Sequence, residues 1–154
     1  MGKRPVDVRL LDENDYADWL VLWREWQTHM RGAVPDHISA KAWALMMDRQ
    51  SGLLGLMARS SDGDAVGFAH LSAMPFAWTG SEVLYLQDLF VRESARSAGA
   101  GGALVAAVYD LADQRGADQV FWMVDEEDER LRAFYERHSI RTPYLRYMRK
   151  PWPW

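Results

Sequence analysis

A chain of 154 residues, 49% apolar and 26% charged, describes one globular domain with enough material for a full core. The lack of cysteine excludes a disulfide scaffold, a thiolate metal site and a cysteine nucleophile. A net charge of −4 argues against nucleic acid, which wants a basic face, and is compatible with a cationic small molecule.

No apolar run approaches membrane-spanning length. The N-terminal basic pair Lys3-Arg4 is followed by no long apolar stretch, so a secretory signal and a membrane partner are not expected. The expected compartment is the cytoplasm. The eight tryptophans exceed what this length usually carries, and they are expected in core, a subunit contact or a pocket wall.

Val6, Val8 and Leu10 alternate with polar residues, the period of a half-buried strand. Asp12 to Asp15 supplies caps and negative charge for a first helix over 16–30, which Gly32 and Pro35 end. Ser39 is the expected N-cap of a second helix over 40–50, with Gly52 as its C-cap glycine. Residues 54–60 read as a strand, Ser61-Asp-Gly-Asp64 as a hairpin turn, and 65–73 as the returning strand. Pro75 and Thr79-Gly80 interrupt before the next strand, 82–91. A third helix spans about 101–115, with Leu104, Val108, Leu111 and Ala112 as its stripe and Gly116 as its stop. Residues 119–125 read as a strand, Asp128 as the cap of a fourth helix over 129–138, and 144–150 as a last strand. Pro151-Trp-Pro-Trp154 is expected to pack on the surface or on a second subunit. The order is β-α-α-β-β-β-α-β-α-β, an α/β domain of the α+β type. A doubly wound fold would alternate strictly.

The stretch that carries chemistry is Tyr85-Leu-Gln-Asp-Leu-Phe-Val91 and the loop after it. A buried strand runs into small residues and then into a helix start. Helix N-termini hold unpartnered N–H groups and partial positive charge, and glycines let a phosphate approach the main chain. Arg96 adds a cation to Arg96-x-x-Gly99-x-Gly101. A Walker loop is excluded, since no Gly-Lys-Ser/Thr follows. A dinucleotide fingerprint would begin directly after the strand. The bare pattern also fits an ordinary tight helix entry.

Arg96, Gly99 and Gly101 resemble the acetyl-CoA loop of the GNAT superfamily of N-acetyltransferases, Gln/Arg-x-x-Gly-x-Gly/Ala. A second block agrees: Asp128 stands where the family carries Asn, followed by Phe134-Tyr135. Val8-Arg9-Leu10 with Asp15 and Trp19 resembles the usual opening, and the element order matches over essentially the whole chain. The resemblance implies a single GNAT domain over 1–154. It implies four helices and a mixed, mostly antiparallel sheet of six or seven strands. It also implies acetyl-CoA as co-substrate and a direct attack by an amine in a ternary complex; no metal is expected, since the chain has no cysteine and its histidines lack metal spacing.

The resemblance further implies roles for residues. The fourth strand should bulge and splay from the fifth. Backbone groups of Leu89, Phe90 and Val91 would then hold the pantetheine and acetyl carbonyl, where an N–H can stabilise an oxyanion. Backbone amides of Ser97, Ala98, Gly99, Ala100, Gly101 and Gly102 would hold the pyrophosphate beside Arg96. Asp128 belongs to the same cofactor block. Tyr135 is the candidate general acid toward the thiolate, or else a core residue of its helix.

The block around Gln87 is closest to the polyamine and small-amine acetyltransferases, which tend to carry Glu there. Glutamine accepts no proton. Asp88 is the remaining candidate base, expected on the strand face opposite Gln87; a base reached through water is the other reading. Glu25, Trp26, Gln87 and Phe76 are candidates for the acceptor pocket, with core or solvated-face roles as their alternatives. The four histidines lack metal spacing, and His70 reads as a hydrogen-bonded core histidine. The expected function is N-acetylation of a small primary amine. The alternatives are a protein or peptide acceptor, and a CoA-binding module without catalysis. A homodimer is expected through the last strand and the Trp-rich tail.

Overall fold

The computed structural model describes residues 6–150. The chain divides between Met123 and Val124 into two compact units.

The first unit holds β1 (Asp7–Leu10), α1 (Tyr16–His29), α2 (Asp36–Met47), β2 (Leu53–Arg59), β3 (Ala65–Phe76), β4 (Ser81–Val91), α3 (Ala100–Arg115) and β5 (Gln119–Phe121). The strands form one sheet in the order β1-β2-β3-β4-β5. All neighbours are antiparallel except β4 and β5, which pair in parallel. A parallel pair needs a crossover, and α3 supplies it. The sheet therefore has five strands among the described residues, not the six or seven expected.

Each sheet face carries its own core. On one face Leu54, Leu56, Ala58, Leu71, Leu84 and Leu86 pack with Leu104, Val108, Leu111 and Ala112 of α3. On the other, Met57, Phe68 and Phe90 pack with Trp19 and Leu22 of α1 and Met46 of α2. The α3 stripe expected from helical spacing is the buried one.

Local chemistry fixes the entry into α1. The Asp12 carboxylate accepts the Asn14 N–H at 2.8 Å, and Asp15 answers by accepting the Asp12 N–H at 3.0 Å. Asp15 is 1% exposed and also takes Arg9 at 2.8 Å and Arg59 at 2.8 Å. It ties β1, β2 and the start of α1 together.

The second helix departs from expectation. It begins at Asp36 rather than at residue 40, directly after Pro35, and it ends at Met47. Pro35 is fixed at a helix-entry φ and Asp36 places a negative charge in the first turn. Ser39 lies buried inside the helix instead of capping it. Its Oγ accepts the Trp23 indole N–H at 3.1 Å, a donor that needs a partner once half-buried. Gly52 opens β2 at φ 79° rather than ending α2.

The β2–β3 turn forms as read, with Gly63 at φ 88° and the Ser60 N–H donating to the Asp64 carbonyl at 2.9 Å. β3 runs on through Pro75 to Phe76. Its pairing with β2 stops at Ser72, so Pro75 has a strand neighbour on one side only and its missing N–H costs no ladder bond. β5 is short, ending at Phe121 rather than at 125.

The second unit contains α4 (Glu129–Glu136). The Asp128 carboxylate accepts the Leu131 N–H at 2.9 Å, the expected cap. The Arg137 guanidinium lies 5.5 Å from the Phe134 ring centre. Residues 144–150 form no strand. Tyr-Leu-Arg-Tyr-Met-Arg repeats every third residue, so it has no face of period 2 to bury, and Tyr144, Leu145 and Tyr147 are exposed. The edge expected to receive a second chain is absent with it. The expected packing of Pro151 to Trp154 lies outside the described residues.

Candidate active site

β4 is where the fold turns into a site. Plain alternation would put Leu84, Leu86 and Asp88 on one face, which is the face α3 covers. The register instead steps from Leu71↔Leu86 to His70↔Asp88, leaving Gln87 as an extra residue. This β-bulge rotates everything after it. Leu84 and Leu86 stay in the α3 core, while Phe90 enters the core beneath α1 and α2. Asp88 goes with Phe90 and escapes burial as an unpaired carboxylate in the α3 core.

The bulge also overturns the expectation that Gln87 and Asp88 face opposite ways. Gln87 Nε2 donates to Ser72 Oγ, and Asp88 meets His70. Ser72 and His70 are two residues apart on β3 and share a face. Both β4 side chains therefore project toward the α1 side.

Asp88 is held from two directions. Trp26 Nε1 donates to Oδ1 at 3.1 Å, and His70 Nδ1 lies 3.0 Å from Oδ2. His70 is buried and receives the Trp19 indole N–H on Nε2 at 2.9 Å. His70 is thus the hydrogen-bonded core histidine expected from the sequence. The Asp88 side chain keeps 24% of its surface exposed. Among the described residues no lysine or arginine forms an ion pair with it.

The other acceptor-pocket candidates fall differently. Trp26 is part of the cluster, its ring 5.8 Å from Phe90 and 5.6 Å from His29. Glu25 is taken by Arg92, which donates from Nη2 at 2.7 Å and from Nε at 3.0 Å. Donating to Glu25 raises the Arg92 guanidinium above the ordinary arginine value. Phe76 pairs with Ser81, six β3 residues beyond His70, about 20 Å away at strand rise. The structure does not bring it to Asp88.

The loop after β4 is a 3-10 turn, Glu93–Ala98, that ends at Gly99 with φ 88°. α3 opens at Ala100, one residue before the expected start. Ala98, Gly99, Ala100, Gly101 and Gly102 carry nothing larger than a methyl group, so main-chain N–H groups at the helix start stay approachable. Arg96 curls back, its Nε donating to the Val91 carbonyl at 3.0 Å. The β4–β5 ladder ends at Tyr85↔Phe121. Beyond it, Leu89, Phe90 and Val91 have a strand neighbour only on the β3 side. A strand with one free backbone edge leading to a small-residue helix start fits an amide-bearing arm that ends in phosphates.

In the second unit, Tyr135 is 8% exposed, and burial pushes its phenol up to about 12. It stays protonated through the physiological range. Among the described residues no cluster of three or more His, Asp or Glu could hold a metal ion, and no helix is long and apolar enough to cross a membrane.

Sequence reasoning missed the partnership of Asp88 with His70 and Trp26, and of His70 with Trp19. The signal within reach was Trp19, Trp23 and Trp26 on one helix face, three indole donors each needing an acceptor.

The family model described as Acetyltransferase (GNAT) family matches residues 16–139. The D-amino-acid N-acetyltransferase HPA3 of Saccharomyces cerevisiae is 32% identical over 145 residues, covering 94% of this chain and 90% of that protein. The aminoglycoside N(6')-acetyltransferase type 1 of Klebsiella aerogenes is 35% identical over 123 residues, covering 77% and 78%. The crystal structure of a ribosomal-protein-alanine N-acetyltransferase from Brucella melitensis biovar Abortus 2308 superposes with a TM-score of 0.78 at 25% identity, covering 95% and 99%. The three names carry three different acceptors.

Proposed function

This chain belongs to the GNAT acetyltransferase family and is an acyltransferase, and from that premise we propose that it moves the acetyl group of acetyl-CoA to a small primary amine gathered at Asp88. One observation carries the acceptor half of this reading. The bulge at Gln87 presents a part-exposed carboxylate held by Trp26 and His70 and by no lysine or arginine among the described residues, next to the strand segment that β5 does not pair. A carboxylate without a fixed cation attracts one from solution, and a protonated amine is that cation.

Acetyl-CoA would supply the activated thioester. The main chain of 98–102 would hold its phosphates, and the edge at Leu89 to Val91, which no fifth-strand residue pairs and where Arg96 takes the Val91 carbonyl, its amide arm. Asp88 orients the amine and lowers the cost of bringing its charge to the sheet. A carboxylate that already accepts two N–H bonds retains lone pairs for the ammonium and for the proton that must leave before attack. The family resemblance gives Tyr135 a proton-donor role, and a phenol pushed up to about 12 by burial is compatible with it. Gln87, with its amide on Ser72, contributes polarity but no base.

The test is release of CoA thiol from acetyl-CoA with a panel of polyamines, amino sugars, D- and L-amino acids and a short peptide. Amine-dependent release is expected for a small amine, with the peptide slower. In Asp88→Asn the kcat/KM for that amine should fall about tenfold or more, the worth of one charge-assisted hydrogen bond, while the KM for acetyl-CoA stays put. Binding of acetyl-CoA without amine-dependent release overturns the reading.

A further inference from the structure

We propose that His70, fixed by Trp19, is a positioning residue that sets the Asp88 carboxylate for the amine; this rests on the acceptor reading above. An indole Nε1–H can only donate. At 2.9 Å from His70 Nε2, it requires that nitrogen to be bare and accepting. The single ring proton of a neutral imidazole then resides on Nδ1. Nδ1 is 3.0 Å from Asp88 Oδ2 and donates to it. Trp19 thus selects the tautomer, and the tautomer selects the direction of the bond to Asp88.

The relay is stiff along its length. Trp19 is fully buried and stacks on Trp23 at a ring spacing of 6.0 Å, and His70 packs on Phe68 at 4.6 Å. Trp26 fixes the second carboxylate oxygen. Both Asp88 oxygens are therefore pinned by aromatic N–H groups from two elements, β3 and α1, while a quarter of the side chain faces out. A pinned carboxylate presents its remaining lone pairs in one direction. It meets an incoming ammonium without first giving up rotamer freedom, which is how preorganisation improves binding. Neither Trp19 nor His70 needs to touch the substrate.

Three variants and one spectroscopic measurement test this. His70→Phe removes both ring nitrogens, His70→Asn keeps an N–H donor at the Nδ1 position, and Trp19→Phe removes the tautomer lock while keeping an aromatic ring. In His70→Phe the KM for the amine should rise about tenfold, with the KM for acetyl-CoA unchanged and His70→Asn within about threefold of wild type. Trp19→Phe should fall between them. Nitrogen NMR on the wild-type protein should find His70 protonated on Nδ1 and bare on Nε2, and in Trp19→Phe a mixture of tautomers. A His70→Phe enzyme with wild-type amine KM, a His70→Asn enzyme as impaired as His70→Phe, or a wild-type His70 protonated on Nε2 each overturns the proposal. The tautomer measurement needs no acceptor. It decides the relay on its own, even where no amine in the panel is acetylated and the functional reading fails.

Discussion

Tyr135 shows what burial does to a titratable side chain. Taking the phenolate out of water raises the group from 10.0 to about 12, which favours the neutral form. A group that holds its proton at neutral pH is a donor or an obstacle, never a base. Tyr135→Phe is expected to lower kcat by about a hundredfold, the lower range for a lost proton donor, with little change in either KM. Because the phenol stays protonated, the pH–rate profile should show no alkaline limb from it below about pH 11. The same shift has a stability side. A folded value raised above the unfolded one contributes stability that is fully present below about pH 10 and is lost as pH rises toward 12. Denaturant titrations at pH 9 and 11 should show wild type losing about 1 kcal/mol more than Tyr135→Phe. Equal losses in the two proteins would remove the buried-phenol assignment.

Elements decide where such residues meet. The loop at Gly99 adopts φ 88°, a conformation that costs an alanine roughly 1–2 kcal/mol. Gly99→Ala should therefore lose a few degrees of thermal midpoint, and its KM for acetyl-CoA should rise several-fold as the amides of the helix start tilt away. Gly80→Ala is the matched control, since Gly80 has φ 70°, open space around it and a place in the β3–β4 turn. It should lose similar stability without a change in that KM. If both variants raise the KM alike, the loop is not the phosphate cradle. The loop was readable because glycine at a positive φ and a helix start leave marks in sequence, as did the Gly63 turn and the α3 stripe. The bulge in β4 is implied by the family resemblance, but no residue type marks its position. Gln87 is neither glycine nor proline, and Gln87-Asp88, two adjacent polar residues in an apolar strand, do not say which of them is the extra one. Only pairing with β3 shows the extra residue, and with it the face on which Asp88 emerges. The start of α2 was misread for a related reason. Ser39 has the chemistry of a cap, but a tertiary partner, the Trp23 indole, claimed its hydroxyl. Residues 144–150 form no strand for another reason, since a strand exists only when another strand completes its ladder.

At the scale of the sheet, β1 needs an anchor to β2, because the chain reaches β2 only after the excursion through α1 and α2. Asp15 is that anchor. Burial by itself pushes its carboxyl up, but hydrogen bonds from Arg9, the Asp12 N–H and Arg59, with the Arg9 charge, together bring it below the ordinary aspartate value. A depressed folded value means the stabilisation is fully present above the unfolded value of 3.8 and drains as pH falls below it through the folded value. Arg9 also has Asp12 at 3.0 Å, and Arg59 has Asp18 at 2.7 Å, so neither guanidinium is stranded when Asp15 loses its charge. Asp15→Asn should therefore cost about 2–3 kcal/mol at pH 7, under the figure for a fully buried pair broken from one side. The difference between wild type and variant should shrink as the pH is lowered from 5 toward 2, because protonation removes from wild type what the substitution has already removed. Denaturant midpoints across that range measure it. A constant gap between the two proteins would show that Asp15 acts through packing and its cap to Asp12 rather than through charge, and the clamp would no longer explain how β1 is held to the sheet.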